Sequence, residues 1–285
     1  MAENIISGAH VSSSGGIYRA VERATDLGAN ALQIFTQSPR TWRPTNHSQE
    51  SLERFKNERS KNSIEAVICH ALFLANLANP DPTIYAKSNT ALQNTAKTAS
   101  EIRADAVVFH VGSHLGLGLE KVLPQVGKAI EETLAYCKDP TWLLIENSAG
   151  AGGTIGRSIS EIATIIDFLG RPERLGVCLD SCHLYVSGVD IGDDQILNGL
   201  IEELDASIGL DRLRCLHVND TRAELGSNRD RHANLLEGNL GEDLQTFLTH
   251  PSFANIPAIL ETPGASGKGP DKAEVTKLRK LAQVS

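Results

Sequence analysis

The chain has 285 residues, 41% hydrophobic and 22% charged, with a formal net charge of −8. That composition belongs to a globular protein large enough for a substantial core and excludes a disordered or collagen-like chain. No stretch reaches the ~20 apolar residues needed to span a bilayer, and the acidic balance, taken globally, argues against the basic footprint usual among nucleic-acid binders.

Short apolar runs alternate with longer amphipathic ones from start to finish. Ile5–Ala9 reads as a first strand, and Ile17–Leu27 follows with Ile17, Ala20, Val21, Ala24 and Leu27 at helical spacing. Strand Ala31–Thr36 precedes a helix over Gln49–Lys61 that Ser48 can cap, and strand Ala66–His70 precedes a helix over Thr83–Arg103 introduced by Pro82. The alternation continues through strand Ala106–Val111, helix Leu119–Cys137, strand Trp142–Asn147 and helix Ile159–Leu169. It then runs through strand Gly176–Ser181, helix Asp193–Ile208, strand Arg214–Asn219, helix Asp243–Leu248, strand Ala258–Thr262 and helix Lys272–Ala282. Eight buried-type strands, each followed by a helix, predict a single-domain (β/α)8 TIM barrel over residues 1–285, with an open doubly wound sheet as the alternative. The longest irregular segments are Gln37–His47, Ser148–Gly156 and Asp220–Gly241, none of them a linker between domains. Five scattered cysteines (Cys69, Cys137, Cys178, Cys182 and Cys215) and the lack of a leader-like pattern in Met1–Gly16 predict free, buried thiols in a reducing cytoplasm, with no membrane association.

In a parallel barrel the active site lies at the carboxyl ends of the strands. There the third strand ends in His70, the fourth carries His110 and the fifth ends in Glu146. The sixth carries Asp180, followed by His183 across a strand-to-loop turn. The seventh carries His217 and is followed by Asp230 and His232, and the eighth ends with Glu261. Such residues are costly to bury unless paired or metal-bound, and six strands ending this way together are hard to explain by stability. Imidazole with carboxylate suits zinc, manganese or iron, and nine such groups suit two or three ions better than one. His10 is expected as a supporting group and His114 as a substrate contact, whereas His47 and His250 read as surface residues.

The segments GVCLDSCH (Gly176–His183), HVND with GSNRDRH (His217–His232), LLIENSAG (Leu143–Gly150), FHVGSH (Phe109–His114) and AILET (Ala258–Thr262) resemble the endonuclease IV family. So do GAHVSSSGG (Gly8–Gly16) and IFTQSPRTW (Ile34–Trp42), and the resemblance runs in order along essentially the whole chain. It implies three zinc ions, with manganese admissible at one position: His70, His110 and Glu146 at the first; Glu146, Asp180, His217 and Glu261 at the second; His183, Asp230 and His232 at the third. It also implies hydrolysis of the phosphodiester 5′ to an abasic site in double-stranded DNA, leaving a 3′-hydroxyl, and removal of blocking groups from 3′ ends; a monomer is expected, though no motif speaks to oligomeric state. Glu146 and Glu261 would hold the nucleophilic water. Three divalent ions would move the formal charge from −8 to −2 and concentrate the positive field where a phosphate must sit. The DNA contacts implied are Arg40 and Trp42 in the loop after the second strand, Phe73 and Leu74 as apolar wedges after the third, and Arg229 and Arg231, with Arg43 as a further phosphate contact. Three positions depart from the family pattern: Phe73 where tyrosine is common, Val111 where proline is frequent and Leu236 where glycine is frequent.

Two other readings compete. A divalent-metal sugar isomerase or epimerase of the xylose-isomerase-like barrel type would use Glu146, Asp180, His217 and Glu261, but has no evident need for His70, His110, His183, Asp230 and His232. A non-catalytic damage-binding protein would have no reason to keep the full set.

Overall fold

The computed structural model describes residues 5–283; Met1–Asn4, Val284 and Ser285, which belong to the expected 1–285 span, lie outside it. Eight parallel strands close on themselves: β1 (Ser7–His10), β2 (Ala31–Phe35), β3 (Ala66–His70), β4 (Ala106–Phe109), β5 (Trp142–Glu146), β6 (Leu175–Asp180), β7 (Leu213–His217) and, last in the chain, β10 (Ala258–Leu260). Closure comes from β1 pairing with β10, Ser7 opposite Ala258 and Ala9 opposite Leu260, which rules out the open sheet. Between β7 and β10 the chain forms a two-stranded antiparallel ribbon, β8 (Asp220–Thr221) and β9 (His232–Ala233). The sequence predicts only irregular chain here, because two-residue strands carry no readable alternation.

The flanking helices are α1 (Arg19–Asp26), α2 (Gln49–Lys61), α3 (Pro82–Glu101), α4 (Leu119–Leu134), α5 (Ile159–Phe168), α7 (Asp194–Ser207), α8 (Leu244–Thr249) and α9 (Lys272–Leu281). Several start where local chemistry dictates. Ser48, Asp81, Ser158, Asp193 and Asp271 each accept first-turn N–H groups that would otherwise lack partners, and Pro82 occupies the first turn of α3 where no N–H is needed. An additional short helix, α6 (Ser181–Ser187), replaces the turn expected between Asp180 and His183. Asp180 caps it, accepting from the His183 N–H at 2.7 Å.

The core has two shells. The larger lies between the strands and the helices and includes Ile17, Phe55, Leu92, Ile130, Ile166 and Leu278. The smaller fills the barrel interior with Ala31, Ile68, Val108, Leu144, Cys178, Cys215 and Ile259. Alternate residues of a strand share a face, so each inward position reappears two residues later. Ala31 is thus followed by Gln33, Ile68 by His70, Val108 by His110, Leu144 by Glu146, Cys178 by Asp180, Cys215 by His217 and Ile259 by Glu261. On β1 the corresponding pair is Gly8 and His10; Gly8 is required because a Cβ there would strike the Ile259 side chain. The interior is therefore an apolar floor with a polar layer directly above it at the carboxyl end. All five cysteines are buried and unpaired, as expected. Among the described residues no helix is long and apolar enough to cross a membrane.

Candidate metal centre

The polar layer draws one side chain from every barrel strand. Glu146 lies at its middle, fully buried. Its Oε2 is 3.2 Å from His70 Nε2 and 3.3 Å from His110 Nε2; its Oε1 is 2.9 Å from His217 Nδ1 and 3.3 Å from His183 Nδ1. His217 Nδ1 also faces Glu261 Oε2 at 3.5 Å and Asp180 Oδ2 at 4.0 Å. To one side, His183 Nε2 is 3.4 Å from Asp230 Oδ2, and His232 Nε2 is 3.2 Å from Asp230 Oδ1 and 3.8 Å from Asp180 Oδ2. All nine residues singled out in the sequence therefore converge. His70, His110 and Glu146 form one compact trio of ligand-type atoms, and His183, Asp230 and His232 form another.

Hydrogen bonds on the far side of several rings fix which nitrogen faces inward. His70 Nδ1 donates to the Ala71 carbonyl at 2.6 Å, so Nε2 is the nitrogen turned toward Glu146. His183 Nδ1 donates to the Asn147 carbonyl at 3.0 Å, freeing Nε2 toward Asp230. His217 Nε2 donates to Gln33 Oε1 at 2.8 Å, so Nδ1 faces Glu146 and Glu261. The same Gln33 amide donates to Glu261 Oε1 at 2.6 Å and lies 3.0 Å from His10 Nδ1. Gln33 was not singled out in the sequence, where it sits within an apolar run, although its place on the inward face of β2 follows from the two-residue period. Asn147 and Asn219 were also missed. Asn147 Oδ1 accepts from the Asp180 N–H at 2.6 Å, and Asn219 donates to Asp180 Oδ2 at 2.7 Å while accepting from the Glu261 N–H at 2.8 Å.

Imidazole nitrogens and carboxylate oxygens thus crowd together, an arrangement that calls for positive charge, from protons or from metal ions, between them. His232 Nε2 makes the same point, being buried with no hydrogen-bond partner among the described residues. Proton affinities agree. Burial pushes the Glu146 carboxyl up, but His110 and His217 outweigh it and hold it well below the usual carboxylate range. Burial likewise raises Glu261, and His217, His10 and His70 bring it well below. Burial pulls down His183 and His217; Asp180 and Asp230 for the former, and Glu261 and Glu146 for the latter, lift both well above the ordinary imidazole value. His232, lowered by burial but raised by Cys182, Asp180 and Asp230, reaches about 10. His10 and His110 go the other way, burial pushing both down. The acids stay ionised and demand cations, and this nitrogen and oxygen donor set fits borderline divalent ions such as zinc.

Above this layer opens a cavity of about 1360 Å³, lined among others by His10, Phe35, Arg40, Phe73, His110, His183, Asp230, His232, Glu261 and Lys268. Arg40 and Lys268 are the arginine and lysine side chains on its wall; Lys268 was not foreseen. Phe73 is 60% exposed, with its ring 5.2 Å from both the Phe35 and the His70 rings, and the neighbouring Leu74 is exposed too. Their loop is tied down by Asn76, which accepts from the Ser113 N–H at 3.1 Å and donates back to the Ser113 carbonyl. Gly112, at φ +101°, leaves room for that asparagine. Trp42 is half-buried, Arg43, Arg229 and Arg231 are exposed, and none of the four lines the cavity. His114, expected to meet substrate, accepts the Gly116 and Gly118 N–H groups at 3.1 Å through Nδ1 and so braces its own loop. His47, expected on the surface, reaches the cavity wall and bonds the Thr36 carbonyl at 2.7 Å. Val111 is buried, and its carbonyl accepts from Leu77 at 2.9 Å, a bond that proline would also supply.

A closed parallel barrel with imidazoles and carboxylates massed at its carboxyl end falls in the class described as the xylose isomerase-like TIM barrel, and that family description matches residues 21–282. The chain is 38% identical over 274 residues to the probable endonuclease 4 of Halothermothrix orenii, covering 96% of this chain and 99% of that one. It is 34% identical to the probable endonuclease 4 of Chloroflexus aggregans, covering 98% of each. The crystal structure of endonuclease IV from Thermus thermophilus superposes with a TM-score of 0.84 at 35% identity, over 96% of this chain and 98% of that one. A D-psicose 3-epimerase structure, at 14% identity and TM-score 0.68, covering 97% of this chain and 96% of that one, shares the fold alone. The chain belongs to the endonuclease IV family.

Proposed function

We propose that this chain is a zinc-dependent DNA-repair endonuclease, a single catalytic domain acting as a monomer, that hydrolyses the phosphodiester 5′ to an abasic site and also clears blocked 3′ ends. The observation that carries the reading is the convergence of nine imidazole and carboxylate side chains in one layer around Glu146, whose two oxygens face different pairs of histidines. His70, His110 and Glu146 would hold one zinc; Glu146, Asp180, His217 and Glu261 a second; His183, Asp230 and His232 a third, with manganese admissible at one position. Bound ions supply an acidified water and electrostatic stabilisation of the phosphate and the leaving oxygen.

The protein groups do the positioning. Glu146 spans two ligand groups and fixes their separation. Glu261, held by Gln33, lines the cavity wall, where it would orient the attacking water. Asp230 and His232 come from the β8–β9 ribbon and close the third group against α6. Arg40 would grip a flanking phosphate, with Trp42, Arg229 and Arg231 contacting DNA further out. Phe73 and Leu74, exposed beside the cavity, suit wedges that enter the duplex where a base is missing, and a baseless nucleotide costs less to extrude than an intact one.

The test is cleavage of a duplex bearing one abasic-site analogue, with the new ends identified and bound metal counted on the same preparation. A nick 5′ to the lesion with a 3′-hydroxyl, three zinc equivalents and loss of activity on exhaustive chelation are expected. One or two ions with turnover of a ketose sugar would establish the isomerase reading instead, and lesion binding without a nick would establish a damage-binding protein.

A further inference from the structure

The barrel floor contains a feature that hydrolysis does not use. Of its eight inward positions, six carry glycine, alanine or aliphatic side chains, and the other two, Cys178 and Cys215, are thiols on neighbouring strands. A shift in the β6–β7 register sets Cys178 opposite Cys215, where regular pairing after Val177 and Leu213 would have set it opposite Arg214. Such a bulge re-aims side chains; here Arg214 is exposed and lies over Trp142, and Cys215 is turned inward. Both thiols are fully buried directly below Asp180 and His217. Their sulfurs and a ring nitrogen of His217 lie within 4.8 Å of one another, the spread of ligands around a single ion.

We propose that Cys178, Cys215 and His217 form an inhibitory site for a thiophilic cation of the cadmium or monovalent copper class. Two sulfurs select a softer ion than the nitrogen and oxygen cluster above them. Each thiol releases its proton to water on ligation, and the ion recruits His217 from the cluster around Glu146. Inhibition as such rests on the endonuclease reading; occupancy of the site does not. Because both thiols lie beneath buried Asp180 and His217, entry proceeds through the cavity and the polar layer, and inhibition sets in slowly.

The experiment uses the zinc-loaded protein in excess free zinc, titrated with cadmium. Ultraviolet absorbance reads cadmium–thiolate bonds, bound cadmium is counted, and cleavage of the abasic duplex is expressed relative to each protein's own cadmium-free rate. Wild type is expected to take up about one cadmium with a thiolate band and to slow by about tenfold or more, the scale on which disturbed ligation costs activity. Cys215→Ala and Cys178→Ala should lose both the band and the inhibition. Cys182→Ala should keep both, although Cys182 stands near Asp180 and His232 in a separate thiol-bearing group. No band in wild type, a band that survives in both floor variants, or one that vanishes in Cys182→Ala would each overturn the proposal. Absence of DNA cleavage in every protein, with the band still dependent on Cys215, would refute the endonuclease reading and leave the site standing.

Discussion

The floor and the polar layer of this barrel are built from the same strands, two residues apart, and obey opposite rules. The floor packs hydrocarbon against hydrocarbon, so its contribution grows with the apolar area it removes from water. The layer above buries carboxylates and imidazoles crowded together, so it is stable only when positive charge, from protons or from metal ions, fills the gaps. A shift of two positions along a strand therefore separates residues that make the fold from residues that make the chemistry.

That contrast can be broken by substitution. Glu146→Gln or Glu261→Gln should lower abasic-site cleavage by about a thousandfold or more while circular dichroism reports an intact fold, since each removes a charge the site is organised around. Near-normal turnover in either variant would erase the distinction. In the floor, Ile259→Ala should lower unfolding free energy by about 2–5 kcal/mol in denaturant titration. A loss under about 1 kcal/mol would mean that the floor is loosely packed. Between these extremes stands Gln33→Leu, which removes an amide that hydrogen-bonds both His217 and Glu261. It should weaken metal retention by about 10–100-fold in competition with a chelator, with Gln33→Glu failing to restore it because His217 and Glu261 need opposite partners. Outside both layers, Phe73→Ala should weaken binding of an abasic duplex by about 1–3 kcal/mol in titration, leaving the single-turnover rate on bound DNA nearly unchanged. The smallest effect is expected at Leu236, exposed at φ +66° where the family often has glycine. Leu236→Gly should raise the melting temperature slightly, corresponding to at most about 1 kcal/mol, because the left-handed backbone costs glycine nothing.

Most of this architecture was legible in the sequence because strands, helices and ligand residues all carry strong local signals: apolar runs, capping residues, and acids or histidines ending the runs. Gln33 escaped because an amide inside ALQIF reads as part of a buried run; only counting inward positions by twos singles it out. Asn147 and Asn219 escaped because their partners, the backbone of Asp180 and of Glu261, come from other strands. Among the expected DNA contacts, Arg40 and Phe73 reach the cavity wall but Trp42, Arg229 and Arg231 do not, since sequence places a residue in a loop without saying which way the loop folds. The same limit hid Lys268 and the place of His47 on the cavity wall.

Because β1 joins β10, one edge of the first barrel strand is covered only by the last. Glu261 follows that last strand, and it is the carboxylate that Gln33 on β2 holds. Most of the metal-attracting groups thus lie on strands that precede the one whose pairing closes the barrel. The two groups that Gln33 holds, His217 and Glu261, are therefore brought to it only by the strand pairings that close the barrel.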